Sequence, residues 1–277
     1  MWFVENHEDI FSTGLKVKSK IHEEQSPFQK VSLYDTEHFG KLLTLDDMIM
    51  LSEKDEFVYH EMIVHMPLNT HRNPEKILVI GGGDGGGIRE ILKHPSVKEA
   101  VLCEIDERVV RICQEHLPSL SGKLTDPKVK LAFEDGFKFL EKYDNYFDVI
   151  LTDSADPVGP GIKLFREDYY KLVKKALKPD GIMVSQSEGP WLYQKIIHDM
   201  TKAMCSQFTH VETYNAFIPL YPAGYWTFTF ASDMYTLKNF DLQRAQAVSG
   251  SCDYYNPEVH TASLALPGFV KRMVNNQ

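Results

Sequence analysis

Four acidic residues, each just past an apolar run, are the positions in this sequence best suited to chemistry. Asp84 sits among six glycines in Gly81-Gly82-Gly83-Asp84-Gly85-Gly86-Gly87, directly after Lys76-Ile77-Leu78-Val79-Ile80. Glu104 closes the next apolar run. Asp153 and Asp156 belong to Asp153-Ser154-Ala155-Asp156-Pro157-Val158-Gly159-Pro160-Gly161, after Phe147-Asp148-Val149-Ile150-Leu151-Thr152. Glycine lacks Cβ and tolerates positive φ, so the first segment suits close backbone approach to a ligand. Gly81-x-Gly83-x-x-Gly86 fits a nucleotide fingerprint, and Glu104 stands where an acid accepts ribose hydroxyls. The ligand is then a dinucleotide or an adenosyl sulfonium compound. A carboxylate at Asp84 opposes a pyrophosphate at that helix N-terminus, whose dipole itself favours ionised Asp84. A fixed negative charge there matches a positive ligand group, an amine above all. Glu134-Asp135-Gly136, after a third apolar run, adds a polar loop near the adenine edge.

Each segment also has a plainer reading. The glycines could form a tight strand-to-helix turn, and Asp, Ser, Pro and Gly around Asp153 are turn formers. The coincidence of all these acids at one sheet edge favours chemistry, because ligands of open α/β sheets bind at the carboxyl ends of strands. The prolines and glycines of residues 153–161 suit a shaped loop that could close as a lid.

The elements that must position these residues follow from periodicity. Strands are predicted at 76–80, 99–105, 128–133, 147–152 and 181–186, with amphipathic helices at 87–94, 106–116, 136–142, 164–177 and 190–206. Strand-helix alternation with apolar strands implies a parallel sheet covered on both faces. Late strands near 209–217 and 225–231, without a long helix between them, would close it as an antiparallel edge. The expected fold is a Rossmann-like, methyltransferase-type α/β sheet of seven strands, mostly parallel, over residues 66–277. Residues 1–65 read as a small antiparallel β domain: strands at 15–18, 30–34 and 41–45, breaks at Gly14 and Gly40, a turn at Asp46-Asp47, and a return through 48–51. A helix from Asp55 to Met66 would end at Pro67.

Composition narrows the class. At 43% hydrophobic and 25% charged residues, the 277-residue chain is an ordinary globular one. A net charge of −9 argues against a nucleic-acid partner and accommodates a cationic substrate. No stretch approaches the ~20 apolar residues of a membrane span, and the start lacks signal-peptide character. Cys103, Cys113, Cys205 and Cys252 form no C-x-x-C pair, as expected of reduced thiols in a cytoplasmic protein without a zinc site. Cys103 reads as packing within a strand.

At this point the chain resembles the polyamine aminopropyltransferases of the spermidine synthase type. The resemblance rests on residues 39–45, Glu53-Lys54-Asp55-Glu56-Phe57-Val58-Tyr59-His60-Glu61-Met62, the 81–87 loop, Glu104-Ile105-Asp106, Glu134-Asp135-Gly136 and residues 153–161. Tyr221-Pro222-Ala223-Gly224 and Tyr255-Asn256-Pro257-Glu258-Val259-His260 also match. It covers nearly the whole chain. The glycine loop alone would not separate this family from methyltransferases; residues 55–62 and 153–161 do.

The resemblance implies transfer of an aminopropyl group from decarboxylated S-adenosylmethionine, a co-substrate, to putrescine, with no cofactor and no metal. By this similarity Glu104 holds the ribose, Asp135 and Gly136 the adenine, and Gln29, Gly81 and Pro160 other parts of the nucleoside. Asp84 holds the donor's amine and Asp153 is the general base, with Tyr59 beside it. His60, Asp156, Gln186 and Tyr221 line the acceptor site, and Glu188 is a further acid for the far amine. His260, Tyr254 and Tyr255 read as structural, and Trp191, Tyr193 and Trp226 as packing. The family commonly forms homodimers or homotetramers through its N-terminal β unit.

Two departures are visible. The usual Asp-Gly turn is Asp46-Asp47 here, which aspartate's tolerance of left-handed conformations should preserve. A common glutamine is replaced by Met50, which leaves the acceptor amine open between putrescine, cadaverine, agmatine and spermidine. An S-adenosylmethionine methyltransferase is the alternative class, opposed by Asp84 and the Asp153/Asp156 pair. A non-enzymatic polyamine- or nucleoside-binding protein is another, opposed by Asp153, since a binder needs no base.

Overall fold

The computed structural model describes residues 1–7, 9–154 and 163–275. Its N-terminal part is a five-stranded antiparallel sheet ordered β1-β2-β3-β4-β5, with β1 Trp2–His7, β2 Phe11–Gln25, β3 Lys30–Thr36, β4 Lys41–Leu45 and β5 Met48–Ser52. Asp46 and Asp47 adopt φ of 49° and 65°, so the hairpin turn is kept as the sequence predicts, with aspartate doing glycine's work. Two expectations fail here. A strand at Trp2–His7 went unread, and Gly14 interrupts nothing: it pairs with Val4 inside β2. A Cβ at Gly14 would make only ordinary contacts, the nearest at 3.7 Å.

Helix α1, Glu56–Thr70, links this sheet to the second. It runs through Pro67 instead of stopping there. Thr70 Oγ1 donates to the Met66 carbonyl at 2.8 Å and the His71 N–H to the Pro67 carbonyl at 2.9 Å, completing the last turn. All but one of its residues are buried, and packing on every side outweighs the ~3 kcal/mol cost of an interior proline.

The second sheet has seven strands in the order β11-β12-β10-β9-β6-β7-β8. They are β6 Lys76–Gly81, β7 Glu99–Cys103, β8 Val129–Ala132, β9 Phe147–Asp153, β10 Leu177–Gln186, β11 His210–Phe217 and β12 Tyr225–Ser232. β12 runs antiparallel to β10 and β11; the other pairings are parallel. The late strands thus close the sheet as expected. The helices are α2 Gly86–Ile91, α3 Glu107–His116, α4 Pro118–Ser121, α5 Gly136–Glu141, α6 Glu167–Ala176, α7 Gln194–Cys205, α8 Leu242–Ser249, α9 Pro257–Ala262 and α10 Gly268–Asn275. Among the described residues no helix is long and apolar enough to cross a membrane.

Alternate side chains of β6 serve the two sides of the sheet. Ile77 and Val79 pack with α1 and α2 residues such as Met62 and Ile88, whereas Leu78 and Ile80 pack with Phe139, Tyr169 and Met200. The five-stranded sheet lays Val31, Leu33 and Leu43 on Val109, Ile112 and Cys113 of α3. This contact holds the two sheets around one cleft.

Two further boundaries moved. β10 begins at Leu177, before the predicted 181, because the chain keeps pairing with β9 across an irregularity between Leu177 and Ile182. α7 begins at Gln194, not 190. The Ser187 N–H still donates to the Thr227 carbonyl of β12 at 2.9 Å, and Glu188 follows at φ 70°, so this stretch is committed to the sheet edge.

Candidate active site

β9 and β6 lie side by side at the centre of the sheet, with Gly81 opposite Asp153 in register. At this carboxyl edge a cavity of about 280 Å³ opens, lined by Asp84, Glu104 and Asp153 from the large sheet and by Leu45 and Met50 from the small one.

The glycine run proves to be shaped mainly by protein neighbours. Gly81, at φ 82°, would place a Cβ 2.1 Å from the Asp153 carbonyl oxygen; at Gly82, φ 67°, it would fall 2.7 Å from Asp153 Oδ2. At Gly86 it would strike the His60 ring at 2.4 Å. These glycines let the loop, the end of β9 and α1 converge. The sequence reading, which gave the whole run to ligand approach, needs that correction, and Gly87 faces open space.

Asp153 Oδ1 accepts a hydrogen bond from the Tyr59 hydroxyl at 2.6 Å, while Oδ2 is buried without a hydrogen-bond partner among the described residues. Burial and the neighbouring Asp84 charge push its carboxyl up to about 6, against the opposing pull of His60 and the Tyr59 bond. Tyr59 itself is held well above the ordinary phenol range by burial and by Asp153, so it stays a donor. Burial pushes Glu104 up to about 7 even though its Oε1 accepts the Asp106 N–H at 2.9 Å.

Asp84 Oδ1 accepts the Gly86 N–H at 2.7 Å and lies 3.2 Å from His60 Nε2. His60 Nδ1 lies 2.5 Å from Glu56 Oε2, one helical turn earlier. Burial alone would neutralise His60, but Asp84 and Glu56 raise it well above the ordinary histidine range, so the ring is an imidazolium. Arg89 of α2 grips Glu56 with two bonds of 2.8 and 2.9 Å. Glu56 is held down at about 2, where His60 and Arg89 outweigh its burial. His60, Asp84 and Asp153 lie within 4.8 Å of one another, a spacing that could suit a cation. Both imidazolium nitrogens already face carboxylates, however, so the trio is an ion-paired cluster.

Asp135 caps α5, accepting from the Phe137 N–H at 2.8 Å, and Gly136 abuts Ile80, where a Cβ would fall 2.6 Å from Cγ2. Gln29 and Ser26 both donate to Asp106 Oδ2, at 3.1 and 2.6 Å. Asp106 thereby ties the small sheet to the Glu104 segment. On the other side, the Tyr221 hydroxyl donates to the Met50 carbonyl at 2.8 Å, and its ring meets Tyr59 edge-on at 5.8 Å. Gln186 donates to Glu188 Oε1 at 3.1 Å and accepts the Glu188 N–H at 3.0 Å. Asp156 and Pro160 lie outside the described residues, as does most of the proposed lid.

The structure therefore brings together Gln29, Tyr59, His60, Gly81, Asp84, Glu104, Asp135, Gly136, Asp153, Gln186 and Tyr221, all of which line the cavity. Trp226 lines it too, in addition to packing at 4.6 Å from the Tyr221 ring. His260 is structural, bonded to Tyr255 and to the Leu237 carbonyl. Cys103 is buried as read, with its thiol pushed up to about 12 by burial, although it reaches the cavity wall.

Residues 56–243 match the spermine/spermidine synthase domain, and residues 1–53 match the spermidine synthase tetramerisation domain. Polyamine aminopropyltransferases from Thermoanaerobacter sp. (strain X514) and Bacillus subtilis are 46% and 44% identical. These alignments span 98% of this chain and 97% of the first relative, and 99% of both chains for the second. A crystal structure of spermidine synthase in complex with the transition state analogue AdoDATO superimposes with a TM-score of 0.97 at 37% identity, covering 100% of this chain and 96% of that one. The Thermotoga maritima spermidine synthase gives 0.96 at 36% identity, covering 100% and 95%.

The chain belongs to the polyamine aminopropyltransferase family. Within this transferase, sequence reasoning missed Glu56, Arg89 and Asp106 as parts of the site. Glu56 and His60 are four apart on one helix, a signal that was available. Arg89 gave none, since its partner Glu56 comes from a distant element, and Asp106, although within the matched Glu104-Ile105-Asp106 stretch, gave no sign of its tie to Ser26 and Gln29.

Proposed function

We propose that the enzyme transfers the aminopropyl group of decarboxylated S-adenosylmethionine to putrescine, forming spermidine and 5′-methylthioadenosine, with Asp153 as general base. One observation carries the mechanism: a buried carboxyl near neutrality, fixed by Tyr59 on one oxygen and, among the described residues, unpartnered on the other. An alkylammonium has a pKa of about 10.4, so presenting it neutral at pH 7.4 costs about 4 kcal/mol. Asp153 accepts that proton while the amine lone pair attacks the methylene beside the sulfonium. The C–N bond forms, the C–S bond breaks, and sulfur leaves with the electron pair as a neutral thioether. Alignment for in-line attack supplies much of the rate.

Asp84 pairs the donor's amine. Ordinary S-adenosylmethionine would bring a carboxylate toward the same charge and be disfavoured. Glu104 holds the ribose, Asp135 and Gly136 the adenine edge, and Gln29, Gly81 and Pro160 border the nucleoside. Tyr59, Asp156, Gln186 and Tyr221 hold the acceptor. His60, a cation against Asp84, fits a role in balancing the carboxylates better than direct contact with the acceptor's ammonium group. The small sheet within residues 1–65 serves assembly and lends Gln29 to the cavity, whereas α1 contributes Tyr59 and His60 to the catalytic unit completed by residues 66–277. The tetramerisation-domain match over residues 1–53 supports a homo-oligomer, dimer or tetramer, and a cytoplasmic location accords with its substrates.

Purified protein incubated with decarboxylated S-adenosylmethionine and a panel of diamines, with products identified by mass, tests this directly. The expected result is methylthioadenosine and spermidine. No methylthioadenosine with any amine overturns the reading; product only with cadaverine or agmatine changes the acceptor. Asp153→Asn should lower turnover by orders of magnitude while donor binding persists, and near-normal turnover would remove Asp153 as base.

A further inference from the structure

A chain of buried ion pairs leads away from the reacting groups. From Asp84 it passes through His60 at 3.2 Å and Glu56 at 2.5 Å to Arg89, gripped by two bonds of 2.8 and 2.9 Å. Arg89 is itself anchored, its Nε donating to Glu90 Oε1 at 2.8 Å, and Lys93 Nζ lies 2.6 Å from Glu90 Oε2. Glu56 is 7% exposed and His60 2%, so water contributes little to holding these charges. Among the described residues, the titratable and charged groups facing His60 are Glu56 and the Tyr59 phenol from α1, Asp84 from the glycine loop and Asp153 from β9. Arg89 of α2 stands one carboxylate away.

We propose that Glu56 and Arg89 are positioning residues for the transfer reaction: Glu56 supplies the counter-charge that holds His60 as an imidazolium against Asp84, and Arg89 pins the Glu56 carboxylate in the orientation that reaches His60. The inference rests on the aminopropyl-transfer reading. Its physical basis is that Asp84, Asp153 and Glu104 share one buried cavity, and like charges at such range cannot all ionise unaided. The imidazolium offsets two of them. It lies against Asp84, which faces the donor's amine, while Asp153 keeps a proton affinity suited to a base. Glu56 and Arg89 do this without touching either substrate.

Isotope-labelled histidine NMR of the full chain, with the His60 signal assigned by its loss in His60→Asn, reads the ring's charge independently of activity. In the wild type both ring nitrogens should remain protonated at pH 8. In Glu56→Gln the ring should be neutral at pH 8, and the acidic limb of kcat/KM should rise by about one pH unit as Asp153 loses its cation. Arg89→Lys should keep the ring charged and the limb unmoved but lower kcat, since lysine cannot hold a carboxylate bidentately. In both variants methylthioadenosine, which lacks the aminopropyl ammonium, should bind within about twofold of wild type, whereas donor affinity should fall. A neutral wild-type ring at pH 8 would overturn the proposal whether or not any variant folds. So would Glu56→Gln with a charged ring and an unmoved limb. An enzyme that makes no methylthioadenosine sinks the catalytic reading instead, while the NMR still judges the charge relay.

Discussion

Tyr59→Phe removes one hydroxyl and with it the only hydrogen bond to the Asp153 carboxylate among the described residues. The bond is 2.6 Å long and buried. A hydrogen bond to a charged group is worth about 1.5–3 kcal/mol, and its loss disfavours the ionised form by that amount, or about 1–2 pK units. Starting from about 6, the carboxyl would move to about 7–8. At pH 7.4 its ionised fraction would fall from about 96% to between about 70% and 20%. The acidic limb of the kcat/KM profile, measured between pH 5.5 and 9.5 with saturating donor, should therefore shift up by 1–2 units, with most activity returning by pH 9. Any remaining deficit on the plateau measures lost alignment. Tyr59 is held protonated throughout this range, so the phenol's own titration does not contribute. A Tyr59→Phe enzyme whose limb stays within a few tenths of a unit of wild type, or whose activity is lost equally at every pH, would refute the assignment of Asp153 as the titrating base.

Three more outcomes follow from the same geometry. Gly81→Ala should cost more than about 2 kcal/mol of stability in denaturant unfolding, because φ is 82° and the Cβ would meet the Asp153 carbonyl; Gly87→Ala, facing open space, should be neutral or stabilising by up to about 1 kcal/mol and remain active. Asp153→Asn should stabilise the apoenzyme: its carboxyl is raised from its ordinary value to about 6 by folding, so the penalty is absent below pH 4, grows as pH rises, and is complete above pH 6. Thermal melts should show a gain of up to about 3 kcal/mol at pH 8 that vanishes toward pH 4. Asp106→Ala removes the acceptor for Ser26 and Gln29 and the cap of α3; steady-state kinetics should show a raised donor KM, and melts a loss of about 1–2 kcal/mol.

Local signals carried much of this protein. The apolar runs of β6 and β9 identify buried parallel strands because both faces of such a strand are covered, and a glycine loop after the first, with acids after its neighbours, marks the ligand edge. The left-handed turn at Asp46 and Asp47 was legible because it depends on two adjacent residues. The register of the parallel strands was not. Nothing in the chain states that Gly81 sits opposite Asp153, yet that register makes Gly81 and Gly82 obligatory and leaves one Asp153 oxygen unpartnered among the described residues. Helix α1 outlasts Pro67 only because it is packed on nearly every side. The charge of His60 is likewise a tertiary fact: as a lone residue it is an ordinary helix histidine, and it becomes an imidazolium because folding sets it between Glu56 and Asp84 with Arg89 behind. Residue types can be read from the chain in order; proton affinities depend on burial and on charges brought from distant elements, which only the packed structure supplies.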